Sequence, residues 1–179
     1  MKKLIIFVYG ILKESDNMDE IRKLIFSLMI LLCLGSLYIS NNLLLVSHYE
    51  FPTKKSQNTL RILQITDLHN IQFGDCNESL IEQVEIQNPD LILLTGDLLN
   101  SDEQNTSIAL ELIRELSKIA PTYASYGNHE KEYEKNYGIN LTTAFEEAGA
   151  KVMEFSYEDI EVNGQNLRIG GLYGYCTPT

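Results

Sequence analysis

Pro89-Asp90-Leu91-Ile92-Leu93-Leu94-Thr95-Gly96-Asp97 is the stretch that decides the fold. Its four consecutive apolar residues, Leu91 to Leu94, lie between a proline-aspartate start and a threonine-glycine stop. A short, wholly apolar run so bounded reads as a strand buried on both faces, as in a parallel sheet covered by helices. It delivers a carboxylate, Asp97, just past its end, and Gly96 lets the backbone turn sharply there. Open α/β sheets bind ligands beyond the carboxyl ends of their strands, so Asp97 stands where chemistry is expected.

Two stretches repeat the pattern on either side. Leu60 to Thr66 is strand-like and ends in Asp67-Leu68-His69; Pro121 to Tyr126 is a weaker run ending in Gly127-Asn128-His129-Glu130. Between them, Asn77 caps a helix from Glu78 to Gln87 with Leu80, Ile81 and Val84 on its apolar face. A second helix, Thr106 to Ile119, turns Ile108, Leu112, Ile113 and Leu116 inward and stops before Pro121. The order β-α-β-α-β demands a parallel sheet with right-handed crossovers. Past Glu130 a charged loop leads to a helix over Leu141 to Ala148, closed by Gly149. Three short strand-like runs follow, Lys151 to Phe155, Glu158 to Val162 and Leu167 to Leu172, with Asn163-Gly164 as a hairpin signal between the last two. The chain then ends without a closing helix, which reads as a C-terminal truncation.

A chain of 179 residues suits one domain with a short appendage. The formal charge is −11, and all of it lies from Phe51 onward, where nine Lys or Arg face twenty Asp or Glu. So acidic a domain is a poor fit to nucleic acid, which rewards a basic face, and a better one to cations. The cysteines, Cys33, Cys76 and Cys176, have no paired spacing, so neither a disulfide framework nor a finger-type zinc site is expected.

The N-terminal part reads as a membrane attachment. Residues 1–23 form a cytoplasmic segment whose apolar run, Leu4 to Leu12, is too short to span a bilayer; Met18 is a second candidate start. Residues 24–46 make twenty-three uncharged residues, enough for a single transmembrane anchor. Arg22 and Lys23 precede it and no positive charge follows until Lys54, so the N-terminus is expected inside and the catalytic domain outside the cytoplasm. A cleaved signal peptide is the competing reading, but no small-x-small cleavage site follows the run. Residues 47–58 are a linker, and 59–179 the globular domain.

In an extended strand end, residues i and i+2 project to one side, so Asp67 and His69 aim together and Leu68 turns into the core. A carboxylate beside an imidazole suits a zinc, iron or manganese ion. Asp97 could bridge two ions, and Asn128 offers a neutral amide oxygen to the second. His129 would be angled past the metals toward bound substrate. Asp-x-His or Gly-Asp alone carries little; the joint occurrence at successive strand ends is what is specific.

Asp67-x-His69, Gly96-Asp97 and Gly127-Asn128-His129-Glu130 together resemble the first three signature blocks of the calcineurin-like metallophosphoesterase superfamily. The wording around them resembles the membrane-anchored bacterial, YkuE-type branch. The resemblance covers Leu60 to Leu172 and implies a four-layer α-β-β-α sandwich with a di-metal site at the strand ends. It implies that Asp67, His69 and Asp97 hold the first of two divalent ions (Mn, Fe or Zn), and Asp97 and Asn128 the second. It implies His129 as the catalytic histidine, steadying the phosphate or protonating the leaving oxygen while hydroxide held by the ions attacks phosphorus. Glu130 is expected to orient its neighbours or face solvent. The family's later histidine blocks are missing, since this chain has no histidine after His129.

The expectation is therefore a membrane-tethered phosphoester hydrolase, incomplete and poorly active as it stands. Its substrate class is open and includes lipid-linked phosphoesters. The rival is a non-catalytic membrane-anchored module that keeps the fold with an incomplete metal site.

Overall fold

The computed structural model describes residues 18–53 and 58–172. They belong to two compact units, Met1–Ser47 and His48–Thr179. The first contains helix α1, Met18–Asn42, with Asp19 and Glu20 in its first turn. These carboxylates pair one turn on with Arg22 (3.5 Å) and Lys23 (2.8 Å) on the exposed helix surface. The stretch expected as an anchor over residues 24–46 falls in a helix with different bounds. The helix begins at Met18, takes in four charged residues, and ends before Leu43 to Val46. Among the described residues, no helix is long and apolar enough to cross a membrane.

The second unit holds a four-stranded sheet, β1 (Ile62–Ile65), β2 (Leu91–Leu94), β3 (Thr122–Ala124) and β4 (Lys151–Val152), in that spatial order. All three pairings are parallel, with Ile62 opposite Leu91, Ile92 opposite Thr122 and Tyr123 opposite Lys151. The apolar run Leu91 to Leu94 is the buried inner strand the sequence called for, with Leu91 and Ile92 fully enclosed. Its crossover helices are α2 (Glu78–Gln87) and α3 (Ser107–Ile119). Helix α3 buries Ala109, Leu112, Ile113 and Leu116, which recur at helical spacing along one face. Two more helices follow, α4 (Asn128–Tyr137) and α5 (Leu141–Ala148), the second burying Leu141, Phe145 and Ala148.

Helix α4 replaces the charged loop expected after Glu130. Its sequence, NHEKEYEKNY, hides an apolar stripe one residue wide: Tyr133 is buried and stacks, tilted, on Tyr137 at 4.6 Å. The remaining strands, β5 (Ser156–Val162) and β6 (Gln165–Gly171), form a separate antiparallel hairpin with Val162 opposite Gln165. Asn163 and Gly164 both take positive φ (50° and 72°), the conformation a two-residue primed turn requires. Asp90, at the entry to β2, binds this turn through Asn163 and also accepts the Arg61 N–H at 2.7 Å. One carboxylate thus ties the hairpin to the sheet. The described residues therefore make a mixed α/β fold built on a parallel sheet.

Candidate metal centre

Parallel pairing brings the carboxyl ends of β1, β2 and β3 to one edge, and the loops beyond stay zipped. Thr95 N–H donates to Ile65 O (3.0 Å), Asp67 N–H to Gly96 O (3.1 Å), His69 N–H to Asp97 O (3.0 Å) and Asn70 N–H to Leu98 O (3.1 Å). Within this ladder Asp67, His69, Asn70 and Asp97 all have positive φ, between 49° and 58°. The extended geometry assumed from the sequence for Asp67 and His69 is thus corrected. Left-handed turns bring the two side chains together, and Asp, Asn and His are the non-glycine residues that best tolerate them. Asp67 Oδ1 lies 3.9 Å from His69 Nε2, and Leu68 is buried as expected.

Two glycines let the β2 and β3 loops touch. A Cβ on Gly96, whose φ is +93°, would meet Gly127 N at 2.4 Å; one on Gly127 would meet Asp97 Oδ1 at 2.2 Å. Neither distance is physically accessible, so both positions must lack a side chain. The space a Cβ would fill is where the Asp97 carboxylate sits.

That carboxylate is oriented from α4. Asp97 Oδ1 accepts the His129 backbone N–H at 3.0 Å. The Glu130 side chain, with no exposed surface, accepts three backbone N–H groups at 2.8 Å: Asp97 and Gly127 on Oε2, Leu98 on Oε1. It is the third residue of α4 reaching back to the residue before the helix, so it also caps the helix and meets its positive end. Of the two roles expected for Glu130, the structure gives it the first.

One ligand atom from each of His69, Asp97 and His129 lies within 4.8 Å of the other two. The His69 and His129 rings meet edge-on, centroids 4.6 Å apart. Two imidazoles and a carboxylate, half-buried and convergent, are a donor set that fits zinc, iron or manganese. Asp67, Asp97 and Asn128 line an adjoining cleft of about 500 Å³, with Thr66, Tyr126 and Gly127. All five residues expected at the site therefore lie on one strand-end edge. His129, expected to point past the metals, instead stands inside the convergent group. Its Nδ1 accepts the Ser101 backbone N–H at 3.1 Å.

Residues 60–177 match the family model described as calcineurin-like phosphoesterase. The chain belongs to this family. It is 26% identical over 147 residues to an uncharacterized metallophosphoesterase of Campylobacter jejuni, covering 78% of this chain and 38% of that protein. It is 27% identical over 124 residues to the uncharacterized metallophosphoesterase YkoQ of Bacillus subtilis, covering 68% of this chain and 46% of the relative. It is also 35% identical over 95 residues to the phosphodiesterase YaeI of Escherichia coli, covering 50% and 35%. The chain thus spans less than half the length of each of these relatives.

Several residues of this phosphoesterase edge escaped sequence reading because α4 did. Asn100 donates to His69 O at 3.1 Å; Ser101 donates its Oγ to Glu132 Oε2 at 3.1 Å and accepts from Asn136 Nδ2 at 3.0 Å. The spacing His129, Glu132, Tyr133, Asn136 was the available signal: those positions share one helix face. The Gly127-x-x-Glu130 pattern also marks a helix start. Tyr126, on the cleft wall, has its phenol pushed well above the ordinary tyrosine range by burial, although its hydrogen bond with Thr142 works the other way.

Proposed function

We propose that this chain hydrolyses phosphoesters at a two-metal centre on the strand-end edge. The observation that carries the reading is the convergence of two ligands, His69 and Asp97, with the His129 imidazole as a hydrogen-bond donor, beside an acidic cleft in a calcineurin-like phosphoesterase domain. Asp67, His69 and Asp97 would hold one ion, and Asp97 and Asn128 the other. Two bound divalent ions supply Lewis acidity, charge neutralisation and a nucleophile at neutral pH. Asp97 can serve as the shared ligand because Oδ1 is fixed by the His129 N–H, which sets the plane of the carboxylate and the aim of Oδ2. His129 steadies the phosphate and the leaving oxygen by donating a hydrogen bond from Nε2, and keeps its proton. Its Nδ1 accepts from Ser101, so in the neutral ring the proton sits on Nε2.

Hydrolysis of an aryl phosphate and a bis-aryl phosphate by the chain with added manganese tests this reading. Activity abolished by Asp97→Ala and His129→Ala supports it; no turnover with manganese, iron or zinc would leave a non-catalytic module. We also propose that the β5–β6 hairpin belongs to the second sheet of a four-layer sandwich.

The site's location is proposed on separate grounds. Leu24 to Leu37 in α1 expose many large apolar side chains, Phe26, Leu31 and Leu32 at 65–70%. So much apolar surface, following Arg22 and Lys23, supports attachment to the cell membrane, as in the YkuE-type branch, with the catalytic domain extracytoplasmic. Membrane attachment favours lipid-linked phosphoesters over soluble ones as substrates. Flotation with liposomes, and protease protection in spheroplasts, separate attached from free protein and outside from inside.

A further inference from the structure

We propose that Ser101 is a positioning residue for His129, clamped to α4 so that its backbone amide decides which imidazole nitrogen carries the proton. The inference rests on the role given to His129 above, and adds what enforces it.

Three polar groups of Ser101 are engaged by one face of one helix. Its N–H donates to His129 Nδ1 (3.1 Å), its Oγ to Glu132 Oε2 (3.1 Å), and its carbonyl accepts from Asn136 Nδ2 (3.0 Å). His129, Glu132 and Asn136 are spaced three and seven apart, so they project from the same side of α4. Ser101 itself is 7% exposed, and Leu98 and Leu99 before it are buried, which anchors the loop that carries the amide. The donor cannot drift without breaking two side-chain hydrogen bonds.

The chemistry follows from the imidazole's inventory. A neutral ring has one N–H and one lone pair, and the backbone amide, which has only a proton to offer, must face the lone pair. Nδ1 is therefore the acceptor and Nε2 the donor. A ligating nitrogen needs its own free lone pair, so a ring held this way cannot give Nε2 to an ion without losing its last proton. Ser101 thereby makes His129 an N–H donor at Nε2 rather than a third ligand beside His69 and Asp97. A free ring at this position would sample both tautomers and offer Nε2 as a lone pair part of the time.

The decisive measurement is a long-range ¹H–¹⁵N spectrum of the metal-free chain, at a pH where imidazole is neutral. A protonated Nε2 and bare Nδ1 for His129 are expected. The double variant Glu132→Ala, Asn136→Ala should shift the ring toward mixed tautomers. It should also lower kcat about 10-fold with KM within about twofold, while Glu132→Gln, which keeps an acceptor, should retain the native spectrum and rate. A proton on Nδ1 in the wild-type chain would overturn the proposal without any variant having to fold. So would a well-folded double variant whose tautomer is unchanged. A chain that shows the expected tautomer and hydrolyses nothing would sink the proposed activity and leave the clamp standing.

Discussion

Glu130 offers the sharpest test of how this site is held. It is a wholly buried carboxylate with no ion-pair partner among the described residues, and three backbone amides at 2.8 Å satisfy it instead. Two of those amides, Asp97 and Leu98, belong to the β2 loop and the third, Gly127, to the β3 loop, so one side chain fixes both. Glu130→Ala leaves all three donors unpaired. The buried Leu98 amide should cost about 1–3 kcal/mol and the two part-buried ones about 1 kcal/mol each, some of it recovered if water enters. The expected destabilisation is about 3–4 kcal/mol, a large part of a typical domain's 5–15 kcal/mol margin.

Glu130→Gln is the more telling variant because it keeps the shape. Its single carbonyl oxygen can serve Asp97 and Gly127 or Leu98, never both, and its NH₂ then points a donor at a donor. We expect about 2 kcal/mol of destabilisation by urea titration. Manganese affinity by calorimetry should fall about 10–100-fold, the usual penalty for losing an outer partner of a metal ligand. A Gln variant within about 0.5 kcal/mol of wild type, with unchanged manganese affinity, would refute the reasoning. It would mean that the glycine contacts and the loop ladder position Asp97 on their own.

The other predictions concern the same edge. His129→Ala should lower kcat for an aryl phosphate about 10²–10³-fold, read in steady-state assays with added manganese. Gly127→Ala should lose metal binding and about 1–3 kcal/mol of stability, since its Cβ would have to share space with Asp97 Oδ1; calorimetry and thermal melts check both. Chelation should lower the melting temperature, and metal at about 100 times its Kd should raise stability by about 2.7 kcal/mol. For pH, burial raises the phenols of Tyr123, Tyr126 and Tyr133 in the folded state. Groups raised on folding keep their contribution below the unfolded tyrosine pKa of about 10 and lose it as pH climbs above that value. Stability should therefore fall with rising pH in the alkaline range, and less steeply in Tyr126→Phe, as measured by denaturant midpoints.

The sheet was legible because its signals were strong and local. Leu91 to Leu94 had no polar residue to compete with burial, and α3 carried its apolar face at helical spacing. Helix α5 was closed by Gly149, and Asn163-Gly164 specified a turn of one hand. Helix α4 was not legible, because its stability comes from one buried tyrosine and a buried glutamate that reads as surface charge. Ser101, Glu132 and Asn136 were lost with it. The N-terminal helix failed differently: counting uncharged residues located the apolar stretch, but charged residues at its start also accept helical backbone, so the helix boundary fell at Met18.

The site shows how a geometry other than the expected one can bring the same residues together. An alternating extended strand would place Asp67 and His69 on one side, and so does a pair of left-handed turns; residue spacing alone does not separate the two. What separates them is where the backbone amides go. In the observed loops the left-handed Asp67, His69 and Asn70 donate their N–H groups across to the β2 loop, so strain of about 1–3 kcal/mol per residue is held by hydrogen bonds that continue the β1–β2 ladder. A wholly extended continuation would carry the β1 loop past Gly96 and pull His69 away from Asp97. Replacing Asp67 by a β-branched residue tests this. Asp67→Val disfavours positive φ as well as removing a ligand, whereas Asp67→Asn removes the charge and keeps the turn. Valine should therefore destabilise the chain to urea by about 1–2 kcal/mol more than asparagine. Equal stabilities would show that the turn is not what holds His69 in place.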